Sequence, residues 1–204
     1  MTSLDAVALS LGSSFASGLN LYATVAALGL LHRYQVFQLP DSLAILAHPL
    51  VLGVAMALYA IEFLADKIPY VDNIWDVIHT FIRPPAAALL AYGALAEVPE
   101  TWRVVAALVG GSIALTSHGT KASARAAANT SPEPISNWLL SLGEDAVAFF
   151  LAWVAATHPL LAISLVLVLL SASIYVLVRL YGLGRRLLGR LFGQGSTGSA
   201  EASR

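Results

Sequence analysis

The residues best equipped for chemistry fall into two clusters and one pair. The first cluster is Glu62, Asp66, Lys67, Asp72, Asp76, His79 and Arg83, within the charged stretch EFLADKIPYVDNIWDVIHTFIRPP. The second is His118, Lys121, Arg125, Asn129, Glu133 and Asn137, within HGTKASARAAANTSPEPISNW. The pair is Glu144 and Asp145, adjacent inside an otherwise apolar run. Lysine and arginine suit an anion, a phosphate above all, because their hydrogen bonds to it are charge-assisted. Carboxylates and histidine suit proton or ion exchange, and histidine titrates nearest neutrality. The expected substrate contacts are therefore Lys67, Arg83, Lys121, Arg125, Asn20 and Asn129. The expected proton- or ion-coupling groups are Asp72, Asp76, His79, Glu144 and Asp145. The same residues also admit a purely structural reading, in which acids and bases pair to fasten helix ends at a membrane face.

Spacing sharpens this. Asp72, Asp76, His79 and Arg83 recur at helical intervals and share one face, whereas Ile74, Val77, Ile78 and Phe81 fall largely elsewhere. Lys121 and Arg125 are i,i+4 neighbours, with His118 one turn earlier. Their small neighbours Thr120, Ala122, Ser123 and Ala124 predict a helix packed closely inside a bundle. Glu144 and Asp145 lie some two turns into a helix, where ionisable groups are costly. Pointing in different directions, they need different partners, and Arg83, Lys121 and Arg125 are available. Asp76 and His79 stand three apart, but no second histidine or recognisable ligand spacing accompanies them, and no metal is assigned.

The elements that must position these groups follow from composition. Hydrophobic residues make up 58% of the 204 and charged residues 11%, arranged in long apolar blocks. A soluble domain carries about a quarter charged residues. The expected fold is an all-α polytopic membrane bundle of about six spans with one or two broken or interfacial helices. The spans are placed at 9–31, 43–64, a short body at 86–95, 102–128 with an apolar part to 115, 136–156 and 160–180. Ser10, Ser13, Ser17, Asn20 and Thr24 share a face of the first and should look into the protein. Ser112, Thr116 and Ser123 make a similar stripe on the fourth. Pro69 should stop the second span. A short helix at 74–83 should then lie at the interface or dip inward, broken from the third span at Pro84-Pro85 or joined to it by a kink. The SPEP motif should form a rigid turn. Residues 1–192 form one transmembrane domain and 193–204 a disordered Gly/Ser-rich tail. The N-terminal run lacks a basic leader and is expected to be retained as the first span.

With six spans, nine of the eleven basic residues share one side, leaving Arg33 and Arg103 on the other. By the positive-inside rule that side, with both termini, is cytoplasmic. A net charge of −1 gives no basic field for nucleic acid. The chain has no cysteine, which excludes disulfides and thiol chemistry. No nucleophile elbow, Walker motif, HExxH or dinucleotide loop is present, so no cofactor or catalytic residue is assigned.

Three stretches, SGLNLYATVAALGLL, EFLADKIPYVDNIWDVIHTFIRP and KASARAAANTSPEPISNWLLSLGED, resemble the domain of unknown function 4126 family of bacterial integral membrane proteins. The resemblance covers most of the chain from Ser17 to about Trp153 and leaves out the final helix and tail. It implies a small inner-membrane protein whose characteristic residues are the polar ones above; the family has no assigned activity. The expected function is a small transporter or flippase-like protein, with its charged site open to the cytoplasmic face. Its partners would be membrane lipid and an anionic small molecule or lipid phosphate. The alternative is a non-transporting scaffold or assembly factor, which predicts no polar cavity and a base for every carboxylate. An intramembrane lipid enzyme would need a nucleophile or metal that is not visible.

Overall fold

A computed structural model describes residues 1–68, 70–129 and 134–193, with the side chains of 134 and 187–193 excepted. Pro69, the Ser131-Pro132-Glu133 part of the expected turn, and 194–204 of the expected tail lie outside the described residues, as do the side chains of Arg190 and Arg204. The described residues form seven α-helices and one 3₁₀ segment, with no strand among them. The helices are α1 (Ser3–Leu19), α2 (Leu21–Arg33), α3 (Pro49–Ala65), α4 (Val71–Ala94), α5 (Glu100–Ala128), α6 (Pro134–Thr157) and α7 (Pro159–Gly193). The 3₁₀ segment, Asp41–Ala47, precedes α3.

The expected first span is two helices, not one, and Asn20 is the reason. Its backbone is extended (φ −149°, ψ 105°), its N–H closes α1 on Ala16, and its Oδ1 accepts from the Ala23 amide to begin α2. One side chain thus replaces the helical acceptor that a continuous helix would have supplied. Contacts fix the direction of each arm. Along α1, Ser3 and Val7 lie beside Trp102 and Val105, and Leu19 receives Lys121, so α1 runs parallel to α5. Along α2, Tyr22 touches His79 while Leu28 clusters with Leu90 and Ala94, so α2 runs parallel to α4. Because α4 and α5 are antiparallel neighbours, α1 and α2 form a hairpin with Asn20 at its tip. Both its outer ends lie at the Arg103 end of the bundle. The start of α1 is therefore at the end opposite Lys67.

The expected second span bends by 64° between the 3₁₀ segment and α3. His48 there is held extended (φ −64°, ψ 133°) ahead of Pro49. By contrast, of the two readings at Pro84-Pro85 the break does not occur and the 74–83 segment joins the third span. Both prolines sit inside the continuous α4, although each removes one backbone hydrogen bond. Packing outweighs that loss: α4 and α5 make the most extensive helix contact, and Gly111 lets α5 lie against the Pro84 carbonyl. In α7 the helix runs to Gly193, beyond the expected end at 180.

Among the described residues two helices are long and apolar enough to cross a membrane, at Ile135–Thr157 and Pro159–Arg186, and the bent pair of 3₁₀ segment and α3 would add a third. That is fewer than the six expected. In α4 and α5 the length is present, 24 and 29 residues, but polar side chains dilute the apolar content. Asp72, Asp76, His79 and Arg83 of α4 and His118, Lys121 and Arg125 of α5 point inward. On α4 Asp72 and Arg83 are fully buried while Val77 and Phe81 are 64% and 76% exposed. A polar interior under an apolar skin is the reverse of a water-facing helix.

Candidate functional site

Three buried cations organise the site. Arg83 on α4 donates through Nη2 to Glu62 Oε1 (2.5 Å), with Asp76 Oδ1 at 3.9 Å from Nη1. Lys121 on α5 lies 3.3 Å from Asp66, 3.5 Å from Glu62 and 3.5 Å from Glu144. Arg125, one turn on, donates to Asp66 (2.7 Å) and Glu144 (2.5 Å). The end of α3, the first half of α4, the last third of α5 and the middle of α6 are thereby tied together.

The hairpin supplies carbonyls to the same cations. Gly18 accepts from Arg83 at 2.9 Å and Leu19 from Lys121 at 3.0 Å. These carbonyls belong to the last turn of α1, where the helix leaves its acceptors unfilled and the dipole favours positive charge. Gly18 is required for the approach, because a Cβ there would strike Ser117 and the Ala114 backbone. Asn20 then donates to Asp145 Oδ1 at 2.8 Å, bringing the hairpin tip onto α6.

Hydrogen bonding assigns the histidine tautomers. His118 Nδ1 faces the Arg83 guanidinium at 2.8 Å and must accept, so Nε2 carries the proton and faces the Asp76 carbonyl (3.0 Å) and Thr80 Oγ1 (2.9 Å). A second proton on His118 would break its bond with Arg83, which keeps this ring neutral. In His79, Nδ1 donates to the Trp75 carbonyl (2.8 Å), leaving Nε2 to accept from the Tyr22 hydroxyl (3.2 Å).

Acids outnumber bases. Glu62, Asp66, Asp72, Asp76 and Asp145 are buried and the Glu144 side chain is 11% exposed, against three fully paired cations. Asp72 is held by Asn129 (2.9 Å) and Asn137 (3.4 Å), neither of which carries charge. Neither Asp76 oxygen has a hydrogen-bond partner among the described residues, and one oxygen each of Glu62 and Asp66 is likewise unfilled. An unneutralised carboxylate in such surroundings costs several kcal/mol. The arrangement therefore calls for protons or small cations. Among the described residues no group of three or more His, Asp and Glu side chains is arranged to hold a metal ion.

Of the residues singled out from sequence, Arg83, Lys121, Arg125, Asp76 and Glu144 meet in one network. Asn20 with Asp145, and Asp72 with Asn129, attach at its edges, and His79 joins through Tyr22 and the Trp75 carbonyl. Lys67 does not join. Its Nζ lies 3.1 Å over the Phe63 ring, bonding to the Phe63 carbonyl and Ser141. Desolvation holds its pKa below the ordinary lysine value, against the pull of Asp145 and Asp66. The stripe expected on the fourth span is also corrected: Ser112 is exposed, and Ser112 and Thr116 bond back to their own helix. The buried face of α5 is instead Gly110, Ala114, Ser117, His118, Lys121 and Arg125.

Glu62 and Asp66 were read only as members of a charged segment, yet they accept from all three cations. A glutamate near the end of an apolar run was the available signal. Tyr22 and the carbonyls of Gly18 and Leu19 had none, because a carbonyl is common to every residue.

Residues 7–179 match the family described as Domain of unknown function (DUF4126), and the chain belongs to that family. The match includes the larger part of α7, beyond the stretch recognised from motifs alone. Neither a curated protein nor a solved structure matches the chain.

Proposed function

We propose that this DUF4126 protein is a proton-coupled membrane transporter whose exchange groups are the buried carboxylates of the network. The observation that carries the reading is the excess of enclosed carboxylates over fixed cations, with Asp76 lacking any hydrogen-bond partner among the described residues. Glu144 is the coupling point, because its partly exposed carboxylate holds both Lys121 and Arg125. Protonation there removes one carboxylate from each of the two cations, leaving them on Asp66 with donors open to the anionic group of a substrate, either a small anion or a lipid phosphate. Loss of the proton restores the pairs and expels the anion.

The proposed membrane arrangement has five spans, α3 to α7, and a re-entrant α1–α2 hairpin entering from the Arg103 side. Along α4, Tyr70 and Tyr92 are about 33 Å apart at 1.5 Å per residue, close to the ~30 Å hydrocarbon core. Exposed aromatic residues mark both ends, with Tyr34 and Trp102 at one and Tyr70, Trp138 and Tyr181 at the other. Lys67, Arg179, Arg185 and Arg186 make the second end cytoplasmic. Arg83, Lys121 and Arg125 drop out of that count because they are buried and paired.

The scaffold alternative accounts for the seven ion pairs of the network but requires a base for every carboxylate. Asp72 and Asp145 are met by amides instead. Proteoliposomes enclosing a pH-sensitive dye distinguish the two. Wild-type protein should carry protons inward when an inward anion gradient is imposed, and Glu144→Gln should not. Equal dye responses from wild type, Glu144→Gln and empty liposomes would remove the transport reading.

A further inference from the structure

We propose that a lateral groove between α2, α3 and α4 binds one anionic phospholipid, its acyl chain in the groove and its phosphate on Arg103. The groove has a volume of about 750 Å³ and apolar walls, including Val25, Leu46, Val54 and Leu90. It exists because α3 packs on α2 but barely touches α4. Its rim residues Leu50, Val54 and Leu89 are exposed, so it opens sideways onto the apolar skin of the bundle.

Charge selects the occupant. Arg103 is the one charged residue lining the groove. It stacks 4.0 Å over the Tyr92 ring and donates Nε to the Tyr92 carbonyl at 3.3 Å. None of the ion pairs among the described residues involves it. Its two terminal nitrogens make no hydrogen bond among the described residues, and a guanidinium held flat against an aromatic ring is ready for a phosphate. Lys121 and Arg125, by contrast, are already committed to carboxylates. Arg103 lies in the first turn of α5, level with the exposed Trp102, where headgroups are found. The chain then runs from Arg103 toward Tyr22, which lines the inner part of the groove and hydrogen-bonds to His79. A lipid in this position touches the one residue that joins the groove to the charge network.

The test is native mass spectrometry of the detergent-purified protein with phosphatidylglycerol or phosphatidylcholine of identical chains. Wild type should retain phosphatidylglycerol in preference, and Arg103→Ala should weaken that lipid about fivefold, to the level of phosphatidylcholine. Ala86→Phe, which fills the groove without touching Arg103, should lose both lipids. Thermal unfolding of each variant, unchanged from wild type, separates lost binding from lost fold; for a variant that fails this control, Arg103→Gln and Ala86→Leu repeat the two arms. Inorganic phosphate in excess should leave the lipid adduct in place. An unchanged lipid preference in folded Arg103→Ala, full binding to folded Ala86→Phe, or displacement of the lipid by phosphate would each overturn the proposal. Because none of these substitutions enters the network, the outcome is independent of the proton-coupling reading.

Discussion

The two halves of α4 each bury one inward stripe, by opposite means. From Asp72 to Arg83 the inward stripe is Asp, Asp, His and Arg; from Ala87 to Ala94 it is Ala, Leu, Ala, Gly and Ala. The second half belongs to a close-packed core with Leu9, Leu28, Leu39, Leu43 and Ala152, held by dispersion and the fit of small residues. The first half trades hydration for directed pairs, and truncating one partner leaves a charge stranded. One half is a scaffold. The other holds more negative charge than its own cations balance.

The contrast makes unequal demands on substitutions. The largest effect should come from removing a network cation. Arg125→Met leaves Asp66 and Glu144 to share Lys121 alone, and should lower unfolding stability by about 3–5 kcal/mol, measured in detergent. In the other half, Leu28→Ala empties a fully buried site and should cost about 2–5 kcal/mol. Asp76→Asn should cost under about 1 kcal/mol, or stabilise, because it removes a charge lacking a hydrogen-bond partner and keeps the shape. The asymmetry between Arg125→Met and Asp76→Asn is what an acid excess requires; equal losses would mean a balanced network. Smallest of all, Gly53→Ala should gain up to about 1 kcal/mol from helix propensity, since a Cβ there meets nothing within 4 Å.

Much of the site was legible because charge is expensive in an apolar chain. Asp72, Asp76, His79 and Arg83 were placed on one face by spacing alone, and that face is buried. Lys121, Arg125 and Glu144 were flagged as a set needing partners, and they are partners. Helix ends were less legible. Asn20 reads as a polar residue within a span, and nothing local reveals that its side chain caps a new helix. Pro84-Pro85 reads as a break, and only contact with α5 overrides it. Direction was lost with Asn20: a hairpin and a continuous span share the same hydropathy, so the side on which the N-terminus lies could not be read from apolar runs.

The central claim is that the buried carboxylates hold protons that they exchange. Infrared difference spectroscopy of the purified protein, titrated across neutrality, tests it through the carbonyl stretch of a protonated carboxylic acid. Wild type should show such a band in a water-poor setting, shifting in deuterium oxide and losing intensity in Asp76→Asn and Glu144→Gln. A spectrum with every carboxylate ionised throughout, identical in wild type and both variants, would contradict the account.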